Sequence, residues 1–226
     1  IQKSFAVACR VAIQRRVTTN LMNTYLGPTA GKKALSGDIQ RGDGEQIRAV
    51  VYYADLRGST RMSAALESGA YLGLLKHYYD CVAQPVLDED GEILDYIGDA
   101  VLAIFPVHGD TGLREAARAA TRAMEAALAL REQSDEKDRM RFCISMAVGE
   151  VMFGNVGVSE RLSFSVIGPV VNQVARMDDI SKVLGRSVLV TREIANIENK
   201  SWISLGDQTL VGIESPVELY ARLCDI

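Results

Sequence analysis

The chain has 226 residues, of which 48% are hydrophobic and 24% charged, which is typical of a globular protein and suits one domain with an extension. A net charge of −4 without a basic stripe argues against a nucleic-acid binder, and no apolar run approaches membrane-spanning length. Its 4 cysteines are scattered without a Cys-x-x-Cys spacing, and no secretory signal is present. We therefore expect reduced thiols, no zinc site and a cytoplasmic location.

The predicted organisation is an N-terminal helix and linker arm over residues 1–46, followed by the main domain over residues 47–226. Apolar residues at helical spacing predict a first helix that ends at Gly27-Pro28. A short helix near Thr29–Leu35 and a Gly-rich loop complete the arm. Because the sequence begins at Ile1 rather than Met, we expect an upstream regulatory or sensor domain coupled through the first helix. The alternative is a helix that only packs on the core.

Two apolar segments of the main domain each lead to a carboxylate. The run Ile47–Asp55 is almost continuously apolar, which predicts a central strand buried on both faces. Farther along, Ile93–Ile97 and Ala100–Phe105 flank a Gly-Asp pair, which predicts a β-hairpin with Asp99 at its tip. If these strands are neighbours, the two carboxylates meet at one sheet edge, where a hard cation carrying a phosphorylated substrate could bind.

The remaining segments alternate between helical and extended patterns. Predicted helices lie near 68–82, at Thr111–Glu132 and from Val170 to Leu184; predicted strands are Arg141–Glu150, Leu162–Val166, Ser187–Val190, Trp202–Leu205 and Val217–Leu223, with a turn at Val151–Gly157. This order indicates an α+β fold with a ferredoxin-like β-α-β-β-α-β core. The sheet should be mostly antiparallel with helices packed on it and extra C-terminal strands.

Two further patterns suit phosphate chemistry. The segment Leu56-Arg57-Gly58-Ser59-Thr60 is predicted to turn into a helix, whose free N–H groups can bind phosphate oxygens. Asn172 and Arg176, at positions i and i+4, share one helix face, and the planar Arg fork can donate two hydrogen bonds to a transferring phosphate. Each pattern alone is more often a cap or a solvated surface. Together with the two carboxylates, they favour metal-assisted phosphoryl or nucleotidyl transfer.

Three segments resemble the signature blocks of class III adenylate/guanylate cyclases of the bacterial type. They are Tyr53–Thr60, Ile97–Phe105 and Val166–Met177. Between and after them, Gly149–Gly157 resembles the family's intervening strand and turn, and Pro216–Tyr220 its closing strand. The resemblance extends from residue 47 to the C-terminus, with the blocks in the family's order and spacing.

The resemblance implies conversion of a nucleoside triphosphate to a 3′,5′-cyclic monophosphate and pyrophosphate. It assigns two Mg²⁺ or Mn²⁺ ions per site to Asp55 and Asp99, the ribose to Asn172, and the transition state at the α-phosphate to Arg176. Main-chain groups of the turn at 56–60 would contact the phosphates. The family works as a head-to-tail homodimer whose sites combine metals from one chain with Asn and Arg from the other, so a monomer should be inactive.

Three positions leave open which nucleotide is the substrate and whether the site is active. Asp95 and Ser165 fall where the family recognises the purine; Ser165 matches one bacterial subset, but the Asp95 carboxylate cannot donate a hydrogen bond to adenine and could accept from guanine. Val211 stands where a basic residue commonly meets the triphosphate. We predict an adenylate cyclase acting on ATP. The alternatives are a guanylate cyclase acting on GTP and a degenerate cyclase-like regulatory or dimerisation module.

Overall fold

The computed structural model describes residues 2–37, 42, 44–136, 140–158, 160–197 and 202–222. Its elements in chain order are α1 (Gln2–Leu26), α2 (Pro28–Ser36), β1 (Gly44–Leu56), α3 (Ser59–Ala65), α4 (Ser68–Val82), α5 (Gln84–Asp88), β2 (Glu92–Ile97), β3 (Ala100–Pro106), α6 (Gly112–Gln133), β4 (Phe142–Val158), β5 (Arg161–Ile167), α7 (Pro169–Leu184), β6 (Val188–Thr191), α8 (Arg192–Ile197), β7 (Trp202–Gln208) and β8 (Val217–Arg222). Within these residues, no helix is long and apolar enough to cross a membrane.

The described strands form one eight-stranded sheet in the order β2-β3-β1-β4-β6-β8-β7, with β5 paired to β4 beside this path. The pairs β1–β3, β2–β3, β6–β8 and β7–β8 are antiparallel, whereas β4–β6 is parallel. The first four strands take the order β2-β3-β1-β4, which is that of a β-α-β-β-α-β core. The α+β prediction with a mostly antiparallel sheet and extra C-terminal strands is confirmed, as is the β2–β3 hairpin.

The core forms where α4 and α6 cover the sheet. The central strand β1 lies between β3 and β4, and its residues 49–52 are fully buried, as its apolar run predicted. Helix α6 presents fully buried alanines at Ala117, Ala120, Ala123 and Ala127, whose small side chains allow a close approach. Larger apolar side chains such as Phe105 and Met124 fill the space between, and the burial of each contributes about 1.5–3 kcal/mol.

The predicted turn at Val151–Gly157 is wrong, because β4 continues through it to Val158. Buried Val151 and Phe153 alternate with the exposed Met152, which is a strand pattern, and β5 pairs with β4. The glycines of this segment suggested a turn, but pairing with a neighbouring strand overrides that local preference. The short helix α8 was also missed, since six residues carry too little periodicity to detect.

The chain divides into two compact units. The first comprises Ile1–Glu45 and Phe153–Ser165, and the second comprises Gln46–Met152 and Val166–Ile226. The boundary predicted after residue 46 and the regulatory role of the segment before it stay predictions. Nearly all of the candidate site residues belong to the second unit; Ser165 belongs to the first.

Within the first unit, α2 packs closely on α1. A Cβ at Gly31 would lie 2.6 Å from the Asn23 Oδ1 atom, so this position has no space for a side chain. The Lys33 ammonium lies 3.2 Å from the Glu45 carboxylate and also over the rings of Phe153 and Phe164. This unit therefore has its own packing and ionic contacts.

Candidate active site

Asp55 and Asp99 lie at the same edge of the sheet. Asp55 is the penultimate residue of β1 and pairs in register with Ala100, the first residue of β3. Asp99 therefore sits in the adjoining β2–β3 turn, and the main-chain N–H of Leu56 donates to its carbonyl at 3.4 Å. The two carboxylates that end the predicted strands are thus brought together by antiparallel register.

Tyr79 on α4 forms a hydrogen bond to the turn that carries Asp99. Its hydroxyl donates to the carbonyl of Gly98, and its ring packs edge-on against Tyr96 with centroids 4.9 Å apart. Gly98 has a φ of 64°, a conformation that favours glycine. Burial and the Asp99 charge raise the pKa of Tyr79, so the hydroxyl keeps the proton that it donates. This contact could not be predicted from the sequence, because Tyr79 is a member of an ordinary apolar helix pattern.

Lys182 on α7 bridges two carboxylates at this edge. Its Nζ lies 3.0 Å from the Asp55 Oδ2 atom and 2.8 Å from the Asp178 Oδ2 atom. Asp178 is 3% exposed, and its Oδ1 atom has no hydrogen-bond partner among the described residues. Burial works against the ammonium, but hydrogen bonds to Asp178 and Asp55 raise the pKa of Lys182 above its ordinary value.

The electrostatics of Asp55 are those of a partly buried acid among other acids. Burial, reinforced by the charges of Asp178 and Asp99, raises the pKa of Asp55 to about 7, although the hydrogen bond from Lys182 opposes the change. A cation near Asp55 would relieve both the burial of its charge and the repulsion from its neighbours. The ionised carboxylate is therefore poised to accept a positive partner.

The donor set at this edge fits a hard divalent cation. Mg²⁺ is commonly held by one or two carboxylates together with substrate phosphates, and Asp55 and Asp99 supply that pair. The Asp55 carboxylate already contacts one cation, the Lys182 ammonium. The described part of the chain holds no cluster of three or more His, Cys, Asp or Glu side chains that could bind a metal. Further ligands would have to come from water or from a phosphorylated substrate.

Some hydrogen-bonding groups of the turn at 56–60 already have partners within the protein. The Arg57 main-chain N–H donates to the Arg141 carbonyl at 2.7 Å. The Arg57 guanidinium donates to the Ser181 carbonyl at 3.2 Å, to the Ser181 hydroxyl at 3.3 Å and to the Arg186 carbonyl. The side chain of Arg57 thus fastens the turn to the C-terminal end of α7, where Lys182 lies.

The other members of the turn form the start of α3. Gly58 is its N-cap, with a φ of 75°, and Ser59 is buried while Thr60 is exposed. The first N–H groups of a helix have no partner within that helix. Since the N–H groups of Leu56 and Arg57 are already bonded, the main chain of residues 58–60 is the part of the turn available to phosphates.

Asn172 and Arg176 are exposed residues of α7 and lie nearer its N-terminus than Lys182 does. At about 100° per residue, Arg176 projects to the side of the helix opposite Asp178. The Arg176 guanidinium is half-exposed and lies 3.2 Å from the Asp179 carboxylate. Asn172 lies about 15 Å along the helix axis from Lys182, which contacts Asp55. Within one chain, the Asn172–Arg176 pair is therefore displaced along α7 from the residue that contacts Asp55.

Asn172 and Arg176 line an open cleft of about 750 Å³. The cleft is bounded by the β5–α7 junction and by the loop after β7, and its lining residues are Val166, Ile167, Gly168, Pro169, Val171, Asn172, Arg176, Val211, Gly212 and Ile213. Val211 is 80% exposed in this cleft, so the position that is commonly basic in the family presents an apolar side chain. The cleft has room for part of a nucleotide but offers no cation at that point.

Asp95 and Ser165, the two candidates for purine recognition, lie on different strands. Asp95 is exposed on β2, directly after a register irregularity between Ile93 and Asp95. Ser165 is half-buried on β5. The exposure of Asp95 leaves its carboxylate free to meet a base.

Gly168 controls where α7 begins. A Cβ at this position would lie 2.8 Å from the Glu150 carbonyl oxygen, which is main chain and cannot move aside cheaply. We expect Gly168→Ala to push back the first turn of α7, which carries Asn172, and to destabilise the domain by about 1–3 kcal/mol. Thermal unfolding measures the change. Gly69→Ala is the matched control, since a Cβ there meets nothing within 4 Å; equal melting temperatures for the two variants would contradict the expectation.

The sequence matches the family described as "Adenylate and Guanylate cyclase catalytic domain" over residues 44–219. An uncharacterised protein of Mycobacterium tuberculosis is 30% identical over 97% of this chain and 41% of its own length. An adenylate cyclase of Anabaena cylindrica is 30% identical over 70% of this chain and 32% of its own length. The chain therefore spans about a third to two fifths of these relatives.

Among solved structures, a bacterial light-regulated adenylyl cyclase is similar over 99% of this chain and 65% of that chain, with a TM-score of 0.76 and 18% identity. At this identity the likeness shows the fold alone. The fold and the converging carboxylates are both consistent with the family match, which covers most of the chain. The chain belongs to the class III adenylate and guanylate cyclase family, as the resemblance of its three sequence blocks predicted.

Proposed function

We propose that this chain converts ATP to 3′,5′-cyclic AMP and pyrophosphate at sites shared between two copies. The observation that carries the proposal is the meeting of Asp55 and Asp99 at one sheet edge in a cyclase-family domain. The adenylate cyclase of Anabaena cylindrica, 30% identical, supports ATP as the substrate. An upstream sensor domain and a cytoplasmic signalling role belong to the same proposal.

Asp55 and Asp99 would hold two Mg²⁺ or Mn²⁺ ions through their carboxylate oxygens. When bound, the ions would lower the pKa of the ribose 3′-hydroxyl and neutralise phosphate charge. Main-chain N–H groups of residues 58–60 would bind phosphate oxygens. These contacts would hold the triphosphate in place for attack by the 3′-oxygen on its α-phosphorus.

Asn172 would orient the ribose through its amide, and Arg176 would stabilise the transition state. The bond from the 3′-oxygen to the α-phosphorus forms as the 3′-hydroxyl gives its proton to water, while the bond to the oxygen bridging to the β-phosphorus breaks and pyrophosphate leaves. Arg176 donates to the α-phosphate oxygens, where negative charge accumulates. Its exposed pair with Asp179 is weak enough to be exchanged for this contact.

A head-to-tail homodimer is the arrangement that reunites the two halves of the site. Within one chain, Asn172 and Arg176 are exposed and lie about 15 Å and about 9 Å along the helix axis from Lys182, which contacts Asp55. A second copy related by a two-fold axis can present its Asn172 and Arg176 to the first copy's carboxylates, and the reverse contact makes a second, identical site. This separation along α7 therefore supports a shared site.

GTP is the second candidate substrate, favoured by the exposed Asp95. A carboxylate at the base can accept hydrogen bonds from guanine N1–H and the 2-amino group, whereas adenine offers it no matching donor at N1. We keep ATP ahead because of the Anabaena relative. The choice between the two bases turns on whether Asp95 contacts the purine at all.

Product analysis tests the proposed function. The purified chain is incubated with Mn²⁺ and either ATP or GTP, and both cyclic nucleotides are quantified by chromatography; cyclic AMP is expected. Asp95→Lys should raise the ratio of cyclic AMP to cyclic GMP formation about tenfold if this position meets the base, since lysine donates where aspartate accepts. Asp110→Lys, an exposed loop position, is the matched control.

Two other results would contradict the proposal in different ways. Cyclic GMP as the main product, with the Asp95→Lys variant losing it, would replace ATP by GTP. Neither product, at concentrations where the dimer forms, would favour a degenerate regulatory or dimerisation module, for which the apolar Val211 is the structural indication.

A further inference from the structure

We propose that the Lys182 ammonium is the resting counter-ion of Asp55 and competes with the divalent cation for that carboxylate, while Asp178 keeps the amine when the cation binds. The inference rests on the proposed function, because it takes Asp55 as a metal ligand. It assigns to Lys182 and Asp178 a part in metal binding that neither the family match nor the sequence patterns gave them.

The geometry places one cation between two carboxylates. The Lys182 Nζ lies 3.0 Å from the Asp55 Oδ2 atom and 2.8 Å from the Asp178 Oδ2 atom, so it makes charge-assisted hydrogen bonds with both. A divalent ion bound to Asp55 would meet this ammonium at close range, where like charges repel strongly. The lysine must therefore move away from Asp55 before or as the metal binds.

Asp178 determines where the amine goes. Asp178 is 3% exposed, and one of its carboxylate oxygens has no hydrogen-bond partner among the described residues. Losing the amine altogether would leave a buried, unpaired charge, which is strongly unfavourable. By contrast, the Lys182 side chain is 46% exposed and its amine already contacts Asp178. A short movement onto Asp178 alone frees Asp55 and leaves no buried charge unpaired.

The position of Lys182 is itself held by the phosphate-side turn. Arg57 donates to the main-chain carbonyl and the hydroxyl of Ser181, the residue next to Lys182. It also donates to the Arg186 carbonyl, so it is bonded both to the last turn of α7 and to the segment that follows the helix. The ion pair between Lys182 and Asp55 therefore begins at a part of α7 whose position is held by hydrogen bonds.

Mn²⁺ binding to the nucleotide-free protein, measured from the electron paramagnetic resonance signal of free Mn²⁺, tests the inference without using activity. Lys182→Met removes the competing charge and keeps an unbranched side chain. We expect it to bind Mn²⁺ about 5- to 20-fold more tightly than the unmodified chain, because Asp55 is then free in every molecule. Lys182→Arg retains a cation and should bind Mn²⁺ like the unmodified chain.

Asp178→Asn gives the opposite expectation. Without the charge of Asp178, Lys182 pairs with Asp55 alone, and Mn²⁺ binding should weaken by at least about threefold. The double variant Asp178→Asn/Lys182→Met should bind like Lys182→Met. If Lys182→Met does not fold because Asp178 is left buried and unpaired, the double variant decides the matter, since it removes both charges and should bind Mn²⁺ just as tightly. Lys76→Met, an exposed position on α4, measures the effect of merely removing one positive charge.

Asp55→Asn separates failure of this inference from failure of the proposed function. If Asp55→Asn leaves Mn²⁺ binding unchanged, Asp55 is not a metal ligand, and both proposals are overturned. Asp55→Asn could instead weaken Mn²⁺ binding while Lys182→Met increases Mn²⁺ affinity no more than Lys76→Met does. In that case only the proposed competition between Lys182 and the metal is overturned. Weaker Mn²⁺ binding by Lys182→Met would also overturn it, because the lysine would then assist the metal site.

Discussion

Asp55→Asn is expected to reduce cyclic-nucleotide formation about a thousandfold or more while leaving the domain folded. Removing a metal-binding carboxylate forfeits several kcal/mol of transition-state stabilisation, and about 4 kcal/mol corresponds to that factor. The fold should tolerate the change, because burial already makes the ionised Asp55 unfavourable and raises its pKa to about 7. Lys182 keeps Asp178 as a partner.

The measurement pairs product formation with thermal unfolding. Asp110→Asn, at an exposed loop position, is the matched control and should retain full activity. A melting temperature within a few degrees of the unmodified chain shows that lost activity is not lost folding. Substantial turnover by a folded Asp55→Asn variant would remove Asp55 from the proposed site.

Mixing two inactive variants should restore activity, which is the second large effect that we expect. Asp55→Asn lacks the metal ligand, and Arg176→Ala lacks the guanidinium at the α-phosphate. In an exchanging equal mixture, half of the dimers are mixed, and each mixed dimer has one of its two sites intact. About a quarter of the unmodified activity should therefore return.

Arg176→Ala suits this test because its loss should be confined to the chemistry. The side chain is 49% exposed and pairs with the exposed Asp179, so its removal should have little effect on stability. Alone, the variant should lose at least about a hundredfold in rate. If mixed dimers form, as tagged chains would show by co-purification, and no activity returns, the two residues act within one chain and the shared-site proposal is wrong.

The sequence predicted the parts of this site that follow from local pattern. A continuous apolar run of this length favours a buried strand, and a Gly-Asp pair between two such runs favours a tight turn. The sequence therefore predicted β1 and the β2–β3 hairpin with their terminal carboxylates. Antiparallel register then brings Asp55 and Asp99 together. The i, i+4 spacing of Asn172 and Arg176 likewise placed both on one helix face.

Contacts between distant segments could not be predicted in this way. Lys182 and Asp178 look like an ordinary helical ion pair at i and i+4, and only the packing of α7 beside β1 reveals Asp55 as their third partner. The Tyr79 hydroxyl and the Arg57 guanidinium join segments far apart in the sequence, and neither residue type signals such a role. The continuation of β4 likewise depends on its partner strand β5.

The charge of Asp95 also disfavours edge-to-edge aggregation of the sheet, because β2 is an edge strand. In the described sheet, β2 has a neighbour only on the β3 side, which leaves main-chain groups of the run 92–97 open to another chain. The irregular register beside Asp95 and the carboxylate itself are the usual defences of such an edge. An apolar residue here would leave Ile93 to Ile97 without a charge, a typical seed for β-aggregation. Substitutions that probe base recognition at this position should therefore retain a charge.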